Sequence, residues 1–353
     1  MEEYTKIKEE LNKTIDVAKQ HKTQIKMCII ASVKDKTQKF ADYSEHSVST
    51  SYLTMADVDE LLGYFQEFGI YTTVYFDIED YIKNYYSCDE KERPNLIFET
   101  SPKGIGRGKD ALIPCLCDIW GVKHLGPTAN VNCLCSSKYQ WGAILASHNI
   151  ATPKSCFYVN GTWVSTPQIG VKYLMKLNYE CASIGLSDKS VIVNDGTNVS
   201  DYANGLFCKY SQAVIAQEFI DGYEVEVPVL VNSNRTIVLP PVGLSFNNKE
   251  LLGSEFLNYD TIYNDRYGFY DFAKVKPQTA SEIRNCVEKI TSILDLNGYM
   301  RIDFRVKPNG EFFVIDINND PTLDINGSFM QSLSFLGYDY STIAPLIIGN
   351  CME

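Results

Sequence analysis

The chain has 353 residues, 45% of them apolar and 22% charged, and 32 Lys and Arg against 44 Asp and Glu leave a formal charge of −12. That suffices for two or three packed domains and excludes an extensively disordered chain, while the acidic balance excludes a protein built to grip a nucleic-acid backbone. Eleven cysteines, a charged start without a secretory pattern and the absence of any long apolar run predict a reduced, cytoplasmic protein with no membrane partner.

Apolar residues at Ile7, Leu11, Ile15 and Ala18 predict an amphipathic helix over 4–19. Residues 25–31 read as a buried strand, 58–68 as a helix stopped at Gly69, and 71–76 and 95–98 as further strands. The last runs into a loop over 100–110. Strands alternating with helices predict an α/β first domain with a parallel sheet. Residues 138–148 read as a helix broken at Ala151-Thr152-Pro153. Beyond it the chain becomes strand-rich, at 171–177, 190–194, 214–219, 224–231 and 236–240. A helix over 280–294 then precedes two strands around Pro308-Asn309-Gly310, so an α+β region is expected to follow the α/β domain.

Residues 300–321, MRIDFRVKPNGEFFVIDINNDP, carry the densest chemistry. If Val306 pairs with Glu311 across the turn, Arg301 faces Asp316 and Asp303 faces Val314. Arg301, Asp303, Asp316 and Asn318 then share one face, and Ile302, Phe304, Phe313, Ile315 and Ile317 the other. Asp303 and Asp316 become diagonal neighbours about 7–8 Å apart, near enough to reach one hard cation such as Mg²⁺. A solvated polar face, with Arg301 and Asp316 as a cross-strand pair, fits the same pattern.

Arg301-x-Asp303-Phe304, followed after a short turn by Asp316-x-Asn318-x-x-Pro321, resembles the metal-binding end of the ATP-grasp fold, most of all in D-alanine–D-alanine ligases. The resemblance implies an N-terminal α/β domain over 1–132, a central ATP-grasp lobe over 133–221 and a C-terminal lobe with the metal site over 222–353. It implies that Asp303, Asp316 and Asn318 hold two Mg²⁺ ions, with Mn²⁺ as the alternative, and that Arg301 steadies the reacting acyl group. Asp316 stands where the family has Glu, which keeps the charge and loses one methylene of reach.

The family's two phosphate-binding lysines correspond to Lys138, which follows Ser137 at a helix start, and Lys176, at a strand end. Lys176 precedes Glu180-Cys181-Ala182-Ser183-Ile184-Gly185, similar to the family's Glu-Gly-Ser-Ser-Val-Gly phosphate loop, which gives Ser183 a catalytic place. Gln217-Glu218-Phe219-Ile220, then Gly222-x-Glu224, resembles the hinge that receives adenine and ribose. There the backbone of Glu218 and Ile220 would read the base, Phe219 would line the pocket and Glu224 would take the ribose hydroxyls. The order of these segments matches the family and is a stronger signal than any one of them.

The glycine cluster Lys103-Gly-Ile-Gly-Arg107-Gly-Lys109 is neither a P-loop nor a dinucleotide fingerprint. By position it matches the family's His-Gly-x-x-Gly-Glu loop with the charge reversed at Arg107 and Lys109. Contact with a substrate carboxylate or phosphate and a plain surface loop both stand as readings. Cys115-x-Cys117 and Cys133-x-Cys135 lack zinc-site spacing and read as ordinary cysteines. Glu45-His46-Ser47-Val48-Ser49 is similar to the family's Glu-Arg-Glu-Val-Ser, with Ser47 at the second Glu. Thr322 offers an oxyanion its N–H, and Gly327-Ser328 falls within one residue of the family's acceptor-carboxylate serine. The flap corresponds to 256–276 in two registers. One runs through Tyr259, Asp260 and Tyr263 and puts Ile262 at the phosphate lysine; the other runs through 269–272 and offers Lys274.

Over about residues 25–345 the resemblance implies an ATP-dependent ligase that forms an amide through an acylphosphate, with D-alanine as the default for both substrates in a cell-wall pathway. A ligase for another pair, and an ATP-binding regulatory protein without turnover, are the alternatives. Retention of Asp303, Asp316 and Asn318 favours the enzyme. A homodimer is implied by the family alone.

Overall fold

The computed structural model describes residues 2–258 and 267–353. Three sheets follow one another along the chain. The first is parallel, with β1 (Met27–Ala31), β2 (Thr72–Tyr75), β3 (Leu96–Thr100) and β4 (Lys123–His124) in the order β2-β1-β3-β4. The second is antiparallel, with β5 (Ser155–Val159), β6 (Thr162–Trp163), β7 (Lys172–Leu177), β8 (Val191–Val193) and β9 (Val214–Glu218) in the order β6-β5-β9-β7-β8. The third holds β10 (Tyr223–Val231), β11 (Thr236–Val238), β12 (Val242–Phe246), β13 (Tyr267–Asp271), β14 (Gly298–Val306) and β15 (Phe312–Asn318). Its path is β13-β12-β10-β14-β15, with β11 on β10, again antiparallel. The expected α/β domain with a parallel sheet, followed by an α+β region, is what the chain builds, and the sheets of the second region are antiparallel.

Burial explains why β1 reads as an unbroken apolar run, because helices cover both of its faces. Met27, Ile29 and Ala31 share a core with the helices Glu2–His21, Met55–Phe68 and Ile343–Met352. Cys28 and Ile30 pack against Tyr81, Tyr85, Ile113 and Cys117 from the helices Ile78–Ser87 and Leu112–Trp120. The helix Met55–Phe68 starts at a capping box of Thr54 and Asp57 and stops at Gly69. In β10, Val225, Val227 and Val229 join Ile283, Val287 and Ile290 of the helix Pro277–Ile293 in a second core. The alternate residues Glu224 and Glu226 therefore turn to the opposite face, toward the cleft.

The helices Glu2–His21 and Ile343–Met352 touch so closely that a Cβ at Gly349 would lie 2.0 Å from the Thr14 carbonyl oxygen. Arg235 ties the same corner together, with Nη1 2.7 Å from Glu10 and Nη2 2.9 Å from Thr14, and it also bonds Glu353. Among the described residues no helix is long and apolar enough to cross a membrane, and all eleven cysteines are free.

The hairpin departs from its expected register. The turn is one residue longer, so Val306 pairs with Phe312, and Ile315 is an extra residue that shifts the pairing between Asp303 and Phe304. Asp303 lies directly opposite Asp316, and Arg301 opposite Asn318. Val314, rather than Phe313 and Ile315, joins Ile302, Phe304 and Ile317 in the core.

Candidate active site

A cavity of about 530 Å³ opens between the second and third sheets. Its walls come from the ends of β7 and β9, the cleft face of β10, β14 and β15, and the loops around 180–184 and 318–328. The hairpin supplies the floor. Two shifts of register, the longer turn and the extra Ile315, bring Arg301, Asp303, Asp316 and Asn318 onto one face as expected, though by direct rather than diagonal pairing. Because Glu226 pairs with Asp303 on the other side, three carboxylates form a row across adjacent strands: Glu226, Asp303, Asp316.

Arg301 straps this row. Its Nε and Nη2 lie 2.8 and 2.9 Å from the two Asp303 oxygens, a bidentate pair, and its Nη1 is 3.2 Å from Glu226 Oε2. Burial pushes the Asp303 carboxyl up to about 7 in spite of Arg301. Burial acts on Asp316 in the same direction, yet Lys138 and Lys176 hold it below the usual carboxylate range.

Both expected lysines reach the cavity. Lys138 begins the helix Lys138–Ser147, is buried, and sets its Nζ 3.2 Å from Asp316 Oδ1. Lys176, next to last in β7 and 7% exposed, donates to the Ile315 carbonyl at 3.1 Å. Burial, with Lys138 nearby and only partly offset by Asp316, lowers its pKa to about 8. The bulge at Ile315 thus has a second effect, since it turns a carbonyl toward this ammonium.

The hinge segment also lines the cavity, through Gln217, Glu218, Phe219, Ile220 and Glu224. The Glu218 and Phe219 N–H groups are taken by the Lys154 and Lys172 carbonyls at 2.8 and 2.9 Å. Phe219 is flanked by the cations of Lys172 and Arg305, 4.8 and 5.1 Å from its ring centre. Glu224 is buried 3.5 Å from Arg305 Nε, and burial raises its pKa. In the loop before it, Ala182 and Ser183 both take positive φ, +50° and +54°, and the Ser183 hydroxyl donates to the Leu257 carbonyl at 3.3 Å. Two successive residues in this region curl the backbone, as an anion-binding loop requires.

Of the two readings of the glycine cluster, the cavity favours contact. Lys109 is buried in the wall, 3.8 Å from Glu180, while Arg107 stacks on Tyr179 at 4.3 Å. The segment after Glu45 reaches the same loop, where His46 Nδ1 accepts from the Gly185 N–H at 3.1 Å; Glu45 itself pairs outward with Lys209. Thr322 and Ser328 line the far end of the cavity. Lys274 does not reach it: 80% exposed, it lies 3.6 Å from Asp271 at the end of β13, an edge strand where a flap residue was expected. The other flap register, with Tyr259, Asp260, Ile262 and Tyr263, lies outside the described residues.

Several site residues escaped the sequence reading, Arg305, Glu226 and Asp320 among them. Glu226 had a signal, the alternation Glu224-Val225-Glu226-Val227, which places both acids on one strand face. Asp320 had none. It is held by the Tyr299 hydroxyl at 3.1 Å and the Ser101 N–H at 3.0 Å, contacts that only the folded chain creates.

Asp303 and Asp316, directly opposed, and the Asn318 amide oxygen give hard donors that fit a Mg²⁺-like cation. Asn318 Oδ1 already accepts from the Asp320 N–H at 3.0 Å, which fixes its orientation and leaves its second lone pair. Among the described residues no three acidic, histidine or cysteine side chains form a ready cage. The donors therefore suit an ion shared with a phosphate rather than one enclosed by protein.

A family model described as D-ala D-ala ligase C-terminus matches residues 166–349. A D-alanine–D-alanine ligase of Mannheimia succiniciproducens is 24% identical over 249 residues, covering 68% of this chain and 76% of that protein. The D-alanine–D-alanine ligase of Aquifex aeolicus is 24% identical over 273 residues, covering 74% and 88%. Among solved structures, the D-alanine–D-alanine ligase from Bacillus anthracis complexed with ATP has a TM-score of 0.67 at 14% identity, covering 93% of this chain and 97% of that one. A D-Ala:D-Ser ligase from Enterococcus faecalis has a TM-score of 0.66 at 15% identity, covering 92% and 98%. At such identities the solved structures speak for the fold.

Proposed function

The chain belongs to the D-ala D-ala ligase C-terminus family, and from that premise we propose that it joins two small amino-acid-like substrates through an acylphosphate, at the expense of ATP. The observation that carries this reading is the cluster of two buried lysines, one clamped arginine and an opposed pair of aspartates around one cavity. Such a set neutralises a polyphosphate and steadies an acyl group, and it would be costly to bury for any other purpose.

In this reading adenine lies against Phe219, with its edge on the backbone of Glu218 and Ile220, beside Gln217, and the ribose hydroxyls meet Glu224. Lys138 and Lys176 take the phosphate oxygens, and the curled loop at Ser183 closes over them. Asp303, Asp316 and Asn318 would hold the divalent metal, two Mg²⁺ ions or Mn²⁺ in their place. When bound, the metal screens the phosphates and spreads the charge of the transferring group.

A substrate carboxylate attacks the γ-phosphorus, and ADP leaves. Lys138 and Lys176 carry the charge that develops on the phosphoryl oxygens. An amine then attacks the acylphosphate carbonyl, and phosphate departs. Arg301 is held by Asp303 in one orientation, so its remaining N–H groups meet the oxyanion without reorganising, together with the N–H of Thr322.

The three sheets support a division into lobes at about 132 and 221, with the nucleotide between the second and third. Free cysteines and a requirement for ATP support a cytoplasmic setting. The test is Mg²⁺-dependent phosphate release from ATP with D- and L-amino acids, singly and in pairs. Asp303→Asn should lower turnover about 100-fold or more while the protein stays folded. Absence of release with every pair, despite ATP binding, would sink the ligase reading in favour of a regulatory ATP binder.

A further inference from the structure

Successive cleft-facing residues order the site along β14. Arg305 stands beside Glu224 near the hinge, Asp303 between Glu226 and Asp316, and Arg301 beyond, each step advancing about 6–7 Å. Past Arg301 the cavity ends among Thr322, Asp324, Asn326 and Ser328. Arg301 is a cation beside this end, and it is already occupied by two acids, Asp303 on Nε and Nη2 and Glu226 near Nη1.

Glu226 is 5% exposed and lines the cavity, and the Ser328 hydroxyl faces its carboxylate. Its Oε2 is ion-paired with Arg301 Nη1 at 3.2 Å but receives no aligned hydrogen bond. A buried carboxylate oxygen that has a cation beside it but no aligned hydrogen bond gains from a ligand that supplies one. The substrate best suited to supply it is a group with N–H bonds and positive charge. Among the described residues, a carboxylate placed at the same end would meet Glu226 and Asp324 with Arg301 already neutralised, which is a rejecting arrangement.

We propose that Glu226 sets the acceptor specificity of the ligase: its Oε2, paired with Arg301 by charge but open to a hydrogen bond, takes an N–H of the incoming amine and selects an acceptor with no carboxylate beside that amine, such as an amino-acid amide or a simple primary amine. The inference rests on the ligase reading for the word acceptor, but the binding of an ammonium at Glu226 does not depend on turnover.

The first readout is calorimetric titration of D-alaninamide into the protein saturated with Mg²⁺ and ADP. Glu226→Gln should weaken this binding about tenfold or more with ADP affinity unchanged, and Glu226→Asp, which keeps the charge, should retain most of it. The second is a competition with D-alanine as carboxylate donor and equal D-alanine and D-alaninamide as acceptors. The wild-type protein should make the dipeptide amide in about tenfold excess over D-alanyl-D-alanine, and Glu226→Gln should reverse that ratio by releasing Arg301 to a carboxylate. Equal binding of D-alaninamide by wild type and Glu226→Gln overturns the proposal. So does D-alanyl-D-alanine as the main wild-type product, or an equal loss with both acceptors, which would mark Glu226 as a support for Arg301. Glu226-dependent binding without any phosphate release would uphold the site and sink the ligase reading.

Discussion

Lys176 is a cation kept in an unfavourable place. Its ammonium is buried, bonded to a carbonyl and close to a second lysine, and burial above all brings its pKa from 10.5 to about 8. Between those two values the unfolded chain binds more protons than the folded one, so this residue's destabilising effect is full below pH 8 and fades as pH rises toward 10.5. A triphosphate reverses the balance by favouring the charged form. ATP binding should therefore take up close to one proton at pH 9 and almost none at pH 7, measured by calorimetry in buffers of different ionisation enthalpy. Affinity should fall about tenfold per pH unit above pH 8. Lys176→Met should abolish the proton uptake, weaken ATP binding and stabilise the ligand-free protein at pH 7 by about 1–3 kcal/mol. An unchanged pH dependence in that variant would show that another group is responsible.

At the scale of the element, the hairpin β14–β15 depends on one inserted residue. Continuing the pairing of Val306 with Phe312 without interruption would put Asp303 opposite Ile315 and turn Asp316 into the core. Deletion of Ile315 should therefore keep Asp316 opposite Asp303, because Val314 still pairs with Phe304 and Asp316 becomes the next residue; the fold should survive in denaturant unfolding with a loss of about 1 kcal/mol, while ATP binding weakens because Lys176 loses the carbonyl it bonds. Loss of the fold in the deletion would refute Ile315 as the one extra residue of this hairpin. Alternation made the acidic face legible in the sequence, but turn length and bulge are not written in alternation. Phe313 and Ile315 read as core by type, whereas Phe313 lies half-buried under Lys307 and Ile315 faces the cavity. The helix Asn198–Tyr210 was missed although Val199, Ala203, Leu206 and Tyr210 are buried at helical spacing, because Asn198, Ser200, Asn204 and Gly205 signal a turn. The ordered nucleotide and metal segments were legible. Glu226 was not singled out, since an acid between valines also describes a strand with one face in water.

Across the whole molecule, the core beneath β1 draws Ile7 and Leu11 from one end of the chain, Ile343 to Ile348 from the other, and Leu230 and Tyr299 from the third sheet. The first and third sheets are thereby joined through helices rather than through a shared strand. Gly222 shows the same close fit on a smaller scale, as a Cβ there would lie 2.0 Å from the Val306 carbonyl oxygen. Gly349→Ala should force the helices Glu2–His21 and Ile343–Met352 apart and cost about 1–3 kcal/mol in thermal unfolding, with ADP affinity unchanged at low temperature. An unshifted melting temperature would mean that the contact gives way without strain. The same pairing has a consequence for synthesis. The helix Glu2–His21 leaves the ribosome about 320 residues before the helix Ile343–Met352, which at 5–20 residues per second is a wait of roughly 15–65 s. During that interval Ile7 and Leu11 lack the part of their core that the helix Ile343–Met352 supplies, so the helix Glu2–His21 completes its docking only after that helix is made, and nascent chains of this protein offer a chaperone a partly covered apolar stripe there.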